Sequence, residues 1–289
     1  MKCLPAAKDF SWDNFMYILI VGAHPDDGES SAGGAAALWR RRGDEVRFIS
    51  VTDGRRGHYD QRYADAPQEL VARRRAESLA AADVIGATYG DIGAVEGPRI
   101  DDTEYELRLM REIRLFGPGL GAGPDLVVTH RPQDHPRDHR LAAHLTIDAC
   151  GMAALPLVDP DTPPLKRTPP IAYWFDDYTE ISSFRPDVVV AIDAVIKEKT
   201  AMLAAHASQV FEWMPYYRGI ADQIPADPDA RLAWLAETQI APMAGLVRAA
   251  VMESLHSSLP HGRYVEAFQI SEYGRPLSDA DIKRIFPVG

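Results

Sequence analysis

A histidine and three acidic residues directly follow an apolar stretch near residue 20. Residues 18–21 read Ile-Leu-Ile-Val, a composition typical of a strand that is buried on both faces. His24, Asp26 and Asp27 come just after it, where the strands of α/β proteins place their ligand-binding residues. His24 and Asp27 lie three residues apart and can hold one metal ion, which leaves Asp26 for proton transfer. This arrangement is typical of an enzyme.

A second group of polar residues follows another short apolar strand, which we predict at residues 125–129. Within ten residues it contains three histidines and two aspartates, namely His130, Asp134, His135, Asp138 and His139. If the two strands lie in one parallel sheet, both groups meet at the same edge of it. His139 then supplies the third protein ligand, and a water molecule takes the open position of a catalytic metal centre.

Composition limits the classes of function that the chain can have. The formal net charge of −11 argues against general nucleic-acid binding, although Arg55 and Arg56 leave room for a local basic pocket. No apolar stretch approaches the roughly 20 residues of a membrane helix, and no secretory signal is recognisable, so we predict no membrane insertion. Two distant cysteines, Cys3 and Cys150, form no disulfide framework and favour a cytoplasmic location.

Apolar periodicity predicts an α/β fold in which strands and helices alternate. The expected architecture is a Rossmann-like, doubly wound and mostly parallel sheet with helices on both faces and a C-terminal elaboration. Predicted strands are residues 16–22, 46–52, 125–129, 171–175, 187–192 and 263–270. Predicted helices are residues 33–42, 67–85, 102–116, 138–155 and 194–209, with a proline-rich loop at 156–170 and a polar tail after 270.

No clear linker divides the chain, so we predict one domain over residues 16–289 behind an N-terminal extension, residues 1–15. Residues 211–262 are expected to be helical or irregular and to form a candidate region for substrate specificity. The aromatic residues of the C-terminal half have two interpretations, packing or a platform for a sugar ring. They include Trp174, Trp213, Tyr216, Tyr217 and Trp234. An oligomer is compatible with the sequence.

Several segments resemble the PIG-L or LmbE-like N-deacetylases. The most specific is Ala23-His24-Pro25-Asp26-Asp27-x-Glu29, which Gly33-Gly34 follows. Further matches are Thr52-Asp53-Gly54, Arg74-x-x-Glu77, Asp138-His139-Arg140, Lys199-x-x-x-Leu203-x-x-His206-x-Ser208-Gln209 and Tyr264-x-Glu266-Ala267-Phe268. The resemblance spans about residues 16 to 270.

The resemblance implies a zinc-dependent hydrolase that removes an acyl group, usually acetyl, from an amino sugar or its conjugate. It implies that His24, Asp27 and His139 bind zinc and that Asp26 is the general base. Iron, cobalt or nickel also suits such a donor set. We further predict that Arg74 and Asp138 contact a small-molecule or glycoconjugate substrate.

One departure from the family pattern concerns the expected donor to the oxyanion. The family places a histidine three residues before the last metal ligand, but Pro136 occupies that position here. The nearest histidine, His135, is displaced by one residue, and we predict that it still takes the catalytic role. Arg137 or His130 could supply the positive partner instead.

Two alternative functions remain open. The first is a metal-dependent amidase that acts on a thiol or amino-acid conjugate. The second is a non-catalytic sugar- or nucleotide-binding relative that has kept the fold. Several individual residues also have purely structural interpretations. Asp53 can cap a turn, Arg74 can pair with Glu77, and His206 can be a buried histidine that holds a loop.

Overall fold

A computed structural model describes residues 15–97, 103–255 and 261–288. Residues 1–14 of the predicted N-terminal extension lie outside this part. Among the described residues, no helix combines the length and hydropathy that crossing a membrane requires.

The described chain alternates strands and helices, as the apolar periodicity predicts. The strands are β1 (Tyr17–Gly22), β2 (Glu45–Thr52), β3 (Thr88–Ala94), β4 (Leu126–Thr129), β5 (Ile171–Trp174), β6 (Val188–Ala191) and β7 (Val265–Ile270). The helices are α1 (Asp27–Arg42), α2 (Arg62–Asp65), α3 (Pro67–Val84), α4 (Thr103–Leu115), α5 (Arg137–Met152), α6 (Ile196–Ala205), α7 (Met214–Arg218), α8 (Pro228–Leu235), α9 (Ala241–Leu255) and α10 (Asp279–Ile285). Short 3₁₀ segments (Asp193–Val195, Ala221–Gln223) and π-helical segments (Ser208–Trp213, Ala236–Ile240) join some of them.

All seven strands form one sheet in the order β3-β2-β1-β4-β5-β7-β6. Strands β1 to β5 pair in parallel, whereas β7 runs antiparallel to both β5 and β6. The mostly parallel sheet of the prediction is therefore confirmed. Because β1 and β4 are neighbours, the two groups of polar residues that follow them lie at the same edge.

The two faces of the sheet are covered by different helices. Ile18 and Ile20 of β1 belong to a core that includes α1 and α6, whereas Leu19 and Val21 belong to a core that includes α4 and α5. This alternation follows from the two-residue period of a strand. Helices on both faces of the sheet are confirmed as well.

Four elements differ from the sequence-based expectation. Helix α1 begins at Asp27, six residues before the predicted start, because the turn after β1 is completed within four residues. Strand β3 was missed, since Gly90 and Gly93 weaken the strand pattern. Helix α10 lies in the expected polar tail, where Ser278 and Asp281 form a capping box that starts it. The predicted helix 194–209 is divided into a 3₁₀ turn, α6 and the beginning of a π-helical segment.

A buried ion pair connects α1 with α6 and β7. The Lys199 ammonium donates to Glu266 at 2.5 Å and to the carbonyl of Ser30 at 2.7 Å. The Glu266 carboxylate in turn accepts the backbone amides of Gly34 and Ala35 at 2.8 and 2.7 Å. In a regular helix these two amides would donate to carbonyls four residues earlier. The ion pair therefore takes part in the hydrogen-bond ladder of α1 and fixes the position of this helix.

Gly34 allows α1 to approach the chain that follows β6. A Cβ atom at this position would lie 2.6 Å from the side chain of Ile192. We expect Gly34→Ala to lower the free energy of unfolding by about 1–3 kcal/mol, because a packed core must deform to accept the methyl group. Urea unfolding followed by circular dichroism measures this change.

Gly245 in α9 provides the matched control, since no atom lies within 4 Å of a Cβ built there. Gly245→Ala should raise the free energy of unfolding by about 0.5–1 kcal/mol through the lower helix propensity of glycine. Equal stabilisation by both substitutions would contradict the close packing at Gly34.

Candidate functional site

The turn between β1 and α1 carries the first group of polar residues in a strained conformation. The carbonyl of Ala23 accepts hydrogen bonds from both the amide and the hydroxyl of Thr52, each at 2.8 Å, which fixes the end of β1 against β2. Asp26 follows with φ 121° and is the single non-glycine residue with positive φ in the described chain. Such a conformation costs about 1–3 kcal/mol and persists only where the surroundings enforce it. The backbone of Asp26 therefore differs from that of the residue that precedes an ordinary helix.

His24, Asp27 and His139 lie together at the edge of the sheet. Nδ1 of His24 is 3.4 Å from Oδ2 of Asp27, and Nε2 of His139 is 3.6 Å from Oδ1 of the same carboxylate. One ligand atom from each of the three residues falls within 4.8 Å of the other two. The sequence-predicted metal ligands are thus brought into one cluster by the adjacent strands β1 and β4.

The spacing of the donor atoms in this cluster fits a single bound metal ion. Ligand atoms about 2.0–2.1 Å from zinc are about 3.3 Å apart at tetrahedral angles. The separations of 3.4 Å from His24 to Oδ2 of Asp27 and of 3.6 Å from His139 to Oδ1 of Asp27 are close to that value. Two imidazole nitrogens and one carboxylate oxygen also form a donor set that suits borderline divalent ions. The residues present therefore fit a metal of this class.

In both His24 and His139, a carboxylate lies near the ring nitrogen that faces away from the cluster. Asp134 lies 2.8 Å from Nδ1 of His139, which leaves Nε2 of that ring directed toward Asp27. Nε2 of His24 lies 3.5 Å from Asp138 and 3.7 Å from Glu96, which leaves its Nδ1 for the cluster. Carboxylates in this position set the tautomer of metal-binding histidines and orient their rings.

Carboxylates and imidazoles shift one another's pKa values in this site. Burial alone would lower the pKa of His24, but the carboxylates of Asp27 and Asp138 raise it to about 10. Burial would raise the pKa of Asp27, yet the imidazoles of His139 and His24 hold it well below its ordinary value. The cluster therefore favours an added positive charge, either a proton or a metal ion.

Asp26 lies beside this cluster and contacts a buried arginine. Nη2 of Arg74 donates to Oδ1 of Asp26 at 3.0 Å and to the carbonyl of Pro25 at 2.6 Å. Nη1 of the same guanidinium donates to the carbonyl of Gly54 at 3.0 Å. Burial raises the pKa of Asp26 to about 6, although Arg74 acts in the opposite direction. A carboxyl group with this pKa can exchange a proton near neutral pH.

Arg74 and Asp138, the predicted substrate contacts, have protein partners in the structure. Arg74 is 2% exposed, and its guanidinium bonds to the turn that carries Asp26. Asp138 faces His24, one of the imidazoles of the cluster. Arg74 does not pair with Glu77, whose carboxylate instead contacts Arg73 and Ser208.

His135 lies apart from the metal cluster. Its ring is exposed and stacks on Tyr178, with 4.7 Å between the ring centroids. Its backbone amide donates to Asp134. No hydrogen bond joins its imidazole to the cluster within the described chain. The oxyanion role predicted for His135 therefore has no contact in this structure to support it.

Asp134 and Glu96 lie near the cluster and were not part of the predicted site, whereas His130 was predicted only as an alternative positive partner for the oxyanion. His130 is 1% exposed, its Nε2 accepts the amide of Ala23 at 3.0 Å, and its Nδ1 lies 3.3 Å from Asp134. Asp134 belongs to the second polar group, so its spacing from His139 was a usable signal. Glu96 follows β3, and missing that strand meant missing this carboxylate.

Some aromatic residues of the C-terminal half pack in the core, and others are exposed. Trp174 is 2% exposed and belongs to the core, which supports the packing interpretation for this residue. Tyr216 and Tyr217 on α7 are exposed, and Tyr216 stacks on Tyr59 with centroids 4.1 Å apart. His206 is fully buried, with Nε2 3.4 Å from Glu29, as a histidine that holds a loop would be.

Known proteins resemble the chain in sequence. Residues 19–150 match the PIG-L family model, described as GlcNAc-PI de-N-acetylase. The diacetylchitobiose deacetylase of Thermococcus kodakarensis is 29% identical over 216 residues, which cover 71% of this chain and 76% of that protein. The 4-oxalmesaconate hydratase of Pseudomonas putida is 28% identical over 212 residues, which cover 71% of this chain and 78% of the hydratase.

Solved structures share the fold. The 4-carboxy-2-hydroxymuconate hydratase from Pseudomonas putida superposes with a TM-score of 0.63 at 23% identity, covering 88% of this chain and 96% of its own. The diacetylchitobiose deacetylase of Pyrococcus horikoshii gives a TM-score of 0.61 at 23% identity, with coverage of 89% and 84%. With its His-Pro-Asp-Asp turn and its two strand-end clusters, the chain contains a PIG-L family domain at residues 19–150.

Proposed function

We propose that this protein is a metal-dependent hydrolase that removes an N-acyl group, in the first place N-acetyl, from an amino sugar or an amino-sugar conjugate. The observation that carries the proposal is the cluster of His24, Asp27 and His139 with the Asp26 carboxyl beside it. Amide hydrolysis needs an activated water, a stabilised oxyanion and a proton for the leaving amine. The named deacetylases among the relatives support this reaction class.

We propose zinc as the metal, held by His24, Asp27 and His139. When bound, such an ion supplies a Lewis acid that polarises the amide carbonyl and lowers the pKa of water. Asp134 orients His139, while Asp138 and Glu96 orient His24. Asp138 then acts on the substrate indirectly, through the imidazole that it holds.

Asp26 is the proposed general base and, later in the reaction, the general acid. Its carboxyl group would accept the proton of the attacking water and deliver it to the nitrogen of the leaving amine. Arg74 is the proposed positioning residue, since its guanidinium holds both the carboxyl of Asp26 and the carbonyl of Pro25. This contact keeps Asp26 in its strained conformation.

The oxyanion donor is proposed to be His135, which lies on the loop that leads into α5. The ring of His130 is engaged by Ala23 and Asp134, so this histidine is less available for a substrate oxygen. We also propose that residues 16–289 act as one domain and that residues 211–262 contribute to substrate specificity. A cytoplasmic location stays a prediction from cysteine usage.

A second candidate reaction is the hydration of a carbon–carbon double bond. The relative from Pseudomonas putida that is named a hydratase favours it. A water deprotonated by Asp26 can attack a polarised alkene as well as an amide carbonyl, so the cluster alone serves both reactions. The two reactions differ in product, because only amide hydrolysis releases a free carboxylate and an amine.

The proposed reaction predicts that the purified protein loaded with zinc releases acetate from N-acetylglucosamine or N,N′-diacetylchitobiose. Asp26→Asn should lower kcat by about 10²–10⁴-fold, because proton transfer is lost while the metal ligands remain. Acetate release and zinc content, measured on the same samples, test both points. Asp83→Asn, which changes an exposed carboxylate on α3, is the control and should keep wild-type kcat.

Near-normal turnover by the zinc-loaded Asp26→Asn variant would contradict the assignment of the base. The opposite pattern is no release of acetate from any amino-sugar amide and consumption of an unsaturated dicarboxylate, which its ultraviolet absorbance monitors. These two results together would show that the reaction is hydration and not hydrolysis.

The contact between Asp134 and His139 predicts a weaker metal site when the carboxylate is removed. Asp134→Asn should reduce the affinity for Co²⁺ about 10–100-fold, because the imidazole loses its orienting partner. Titration of the metal-free protein with Co²⁺, followed by visible absorption, measures the affinity.

Asp159→Asn is the control for this titration. Asp159 is as buried as Asp134, at 4% exposure each, and it pairs with Arg111 rather than with the cluster. Unchanged Co²⁺ affinity in Asp134→Asn would show that Asp134 does not support a metal ligand.

A further inference from the structure

A partly enclosed apolar cavity lies beside the candidate site and has no role in the mechanism above. Its volume is about 130 Å³, and its walls come from the first turns of α1, the end of β5, α6, α7, α9 and β7. Apolar side chains line most of it, among them Phe175, Leu203, Met214, Ile240, Met243 and Val247. Ser30, Arg218 and Met243 are exposed, so the cavity opens to solvent at these residues.

The cavity opens at the same edge of the sheet as the metal cluster. Phe175 directly follows β5, and β5 is separated from β1 by β4 alone. Two strand spacings correspond to about 10 Å. Ser30 also lines the cavity, and its amide donates to the carbonyl of Asp26 at 2.9 Å, one helical turn away. The first turn of α1 therefore runs from the metal cluster to the wall of the cavity.

A buried cation at the cavity wall retains a free donor. Lys199 is 4% exposed and lines the cavity. A lysine ammonium has three N–H donors, of which the carbonyl of Ser30 and the carboxylate of Glu266 accept two. No acceptor for the third is recorded anywhere in residues 15–97, 103–255 and 261–288. The cavity thus offers mostly apolar walls and the free donor of Lys199 to an entering group, and its other polar lining residues are Ser30, Ser31, Arg218, Gln239 and Glu266.

The size of the cavity limits what can occupy it. An apolar cavity of about 150 Å³ lined by leucine, isoleucine and phenylalanine accommodates benzene. The cavity described here is slightly smaller, so it suits a group of about six carbon atoms.

We propose that this cavity, the apolar subsite, binds a short alkyl or aryl group that the substrate carries, with the linking oxygen accepting a hydrogen bond from Lys199. The substrate class is then an amino sugar that bears such a group, either as its aglycone or as its N-acyl chain. This inference rests on the proposed function and deepens it. Residues of the 211–262 segment form one wall, which gives that segment a physical basis for specificity.

Two pairs of substrates test the apolar subsite in the zinc-loaded protein. Methyl and hexyl glycosides of N-acetylglucosamine examine the aglycone, while N-acetyl- and N-hexanoylglucosamine examine the acyl chain. In one of the pairs the longer compound should have at least about tenfold higher kcat/KM, because its added methylenes leave water. The pair that shows the preference identifies the position of the apolar group. Equal kcat/KM within both pairs would overturn the inference.

A cavity-filling variant locates the preference in the structure. Met243→Trp should abolish the gain of the longer substrate, so that the two compounds of the pair have similar kcat/KM. Leu246→Trp is the matched control, since Leu246 lies on the same helix, is 44% exposed against 45% for Met243, and does not line the cavity. Circular dichroism and unfolding should show that Met243→Trp and Leu246→Trp are equally well folded. If Met243→Trp then still prefers the longer substrate, the inference is overturned.

Binding of hexyl glucoside, which contains no amide, separates this inference from the proposed reaction. Calorimetry should give at least about tenfold tighter binding of hexyl than of methyl glucoside, and Met243→Trp should remove the difference. If this holds while no acetate is released from any substrate, the subsite stands and the proposed deacetylation fails. Acetate release with no difference between hexyl and methyl glucoside leaves the reaction intact and overturns the subsite.

Discussion

Several carboxylates are buried together at the edge of the sheet, and the structure there depends on nearby imidazoles and a guanidinium that compensate their negative charge. Asp26, Asp27 and Asp134 are largely buried within a few ångströms of three imidazoles and one guanidinium. An isolated buried carboxylate is costly, whereas one that accepts hydrogen bonds from cations is tolerated. Asp134 contacts the imidazoles of His130 and His139, Asp27 those of His24 and His139, and Asp26 the guanidinium of Arg74. A divalent ion held by His24, Asp27 and His139 would add further positive charge to this group of carboxylates.

Two groups of polar contacts connect the buried carboxylates to the rest of the fold. Arg74 reaches from α3 to the turn after β1 and fixes Asp26 in a conformation that the turn alone would avoid. Lys199 and Glu266 hold α1 from the other side through its backbone groups. Since α1 begins at Asp27 and also lines the apolar subsite, the same helix relates the metal cluster to that cavity.

Much of the fold was accessible from the sequence because it depends on local patterns. The apolar run before His24 and the shorter run before His130 are buried strands, and the polar residues after them come from the strand ends. Gly90 and Gly93 concealed β3, because a strand that gains stability from its neighbours need not have a strong pattern of its own. The helix near the C-terminus was missed although its capping box is visible in the sequence.

The sequence by itself determined that His24 and Asp27 directly follow β1 and that the segment with His139 follows β4, since chain connectivity and apolar periodicity fix where each strand ends. It could not determine that Arg74 turns inward to Asp26, that Glu96 and Asp138 share His24, or that His135 stacks on Tyr178. Those contacts join residues far apart in the chain, and their partners are selected by strand order and helix packing. Side-chain direction is a property of the packed molecule, so only the tertiary structure decided it.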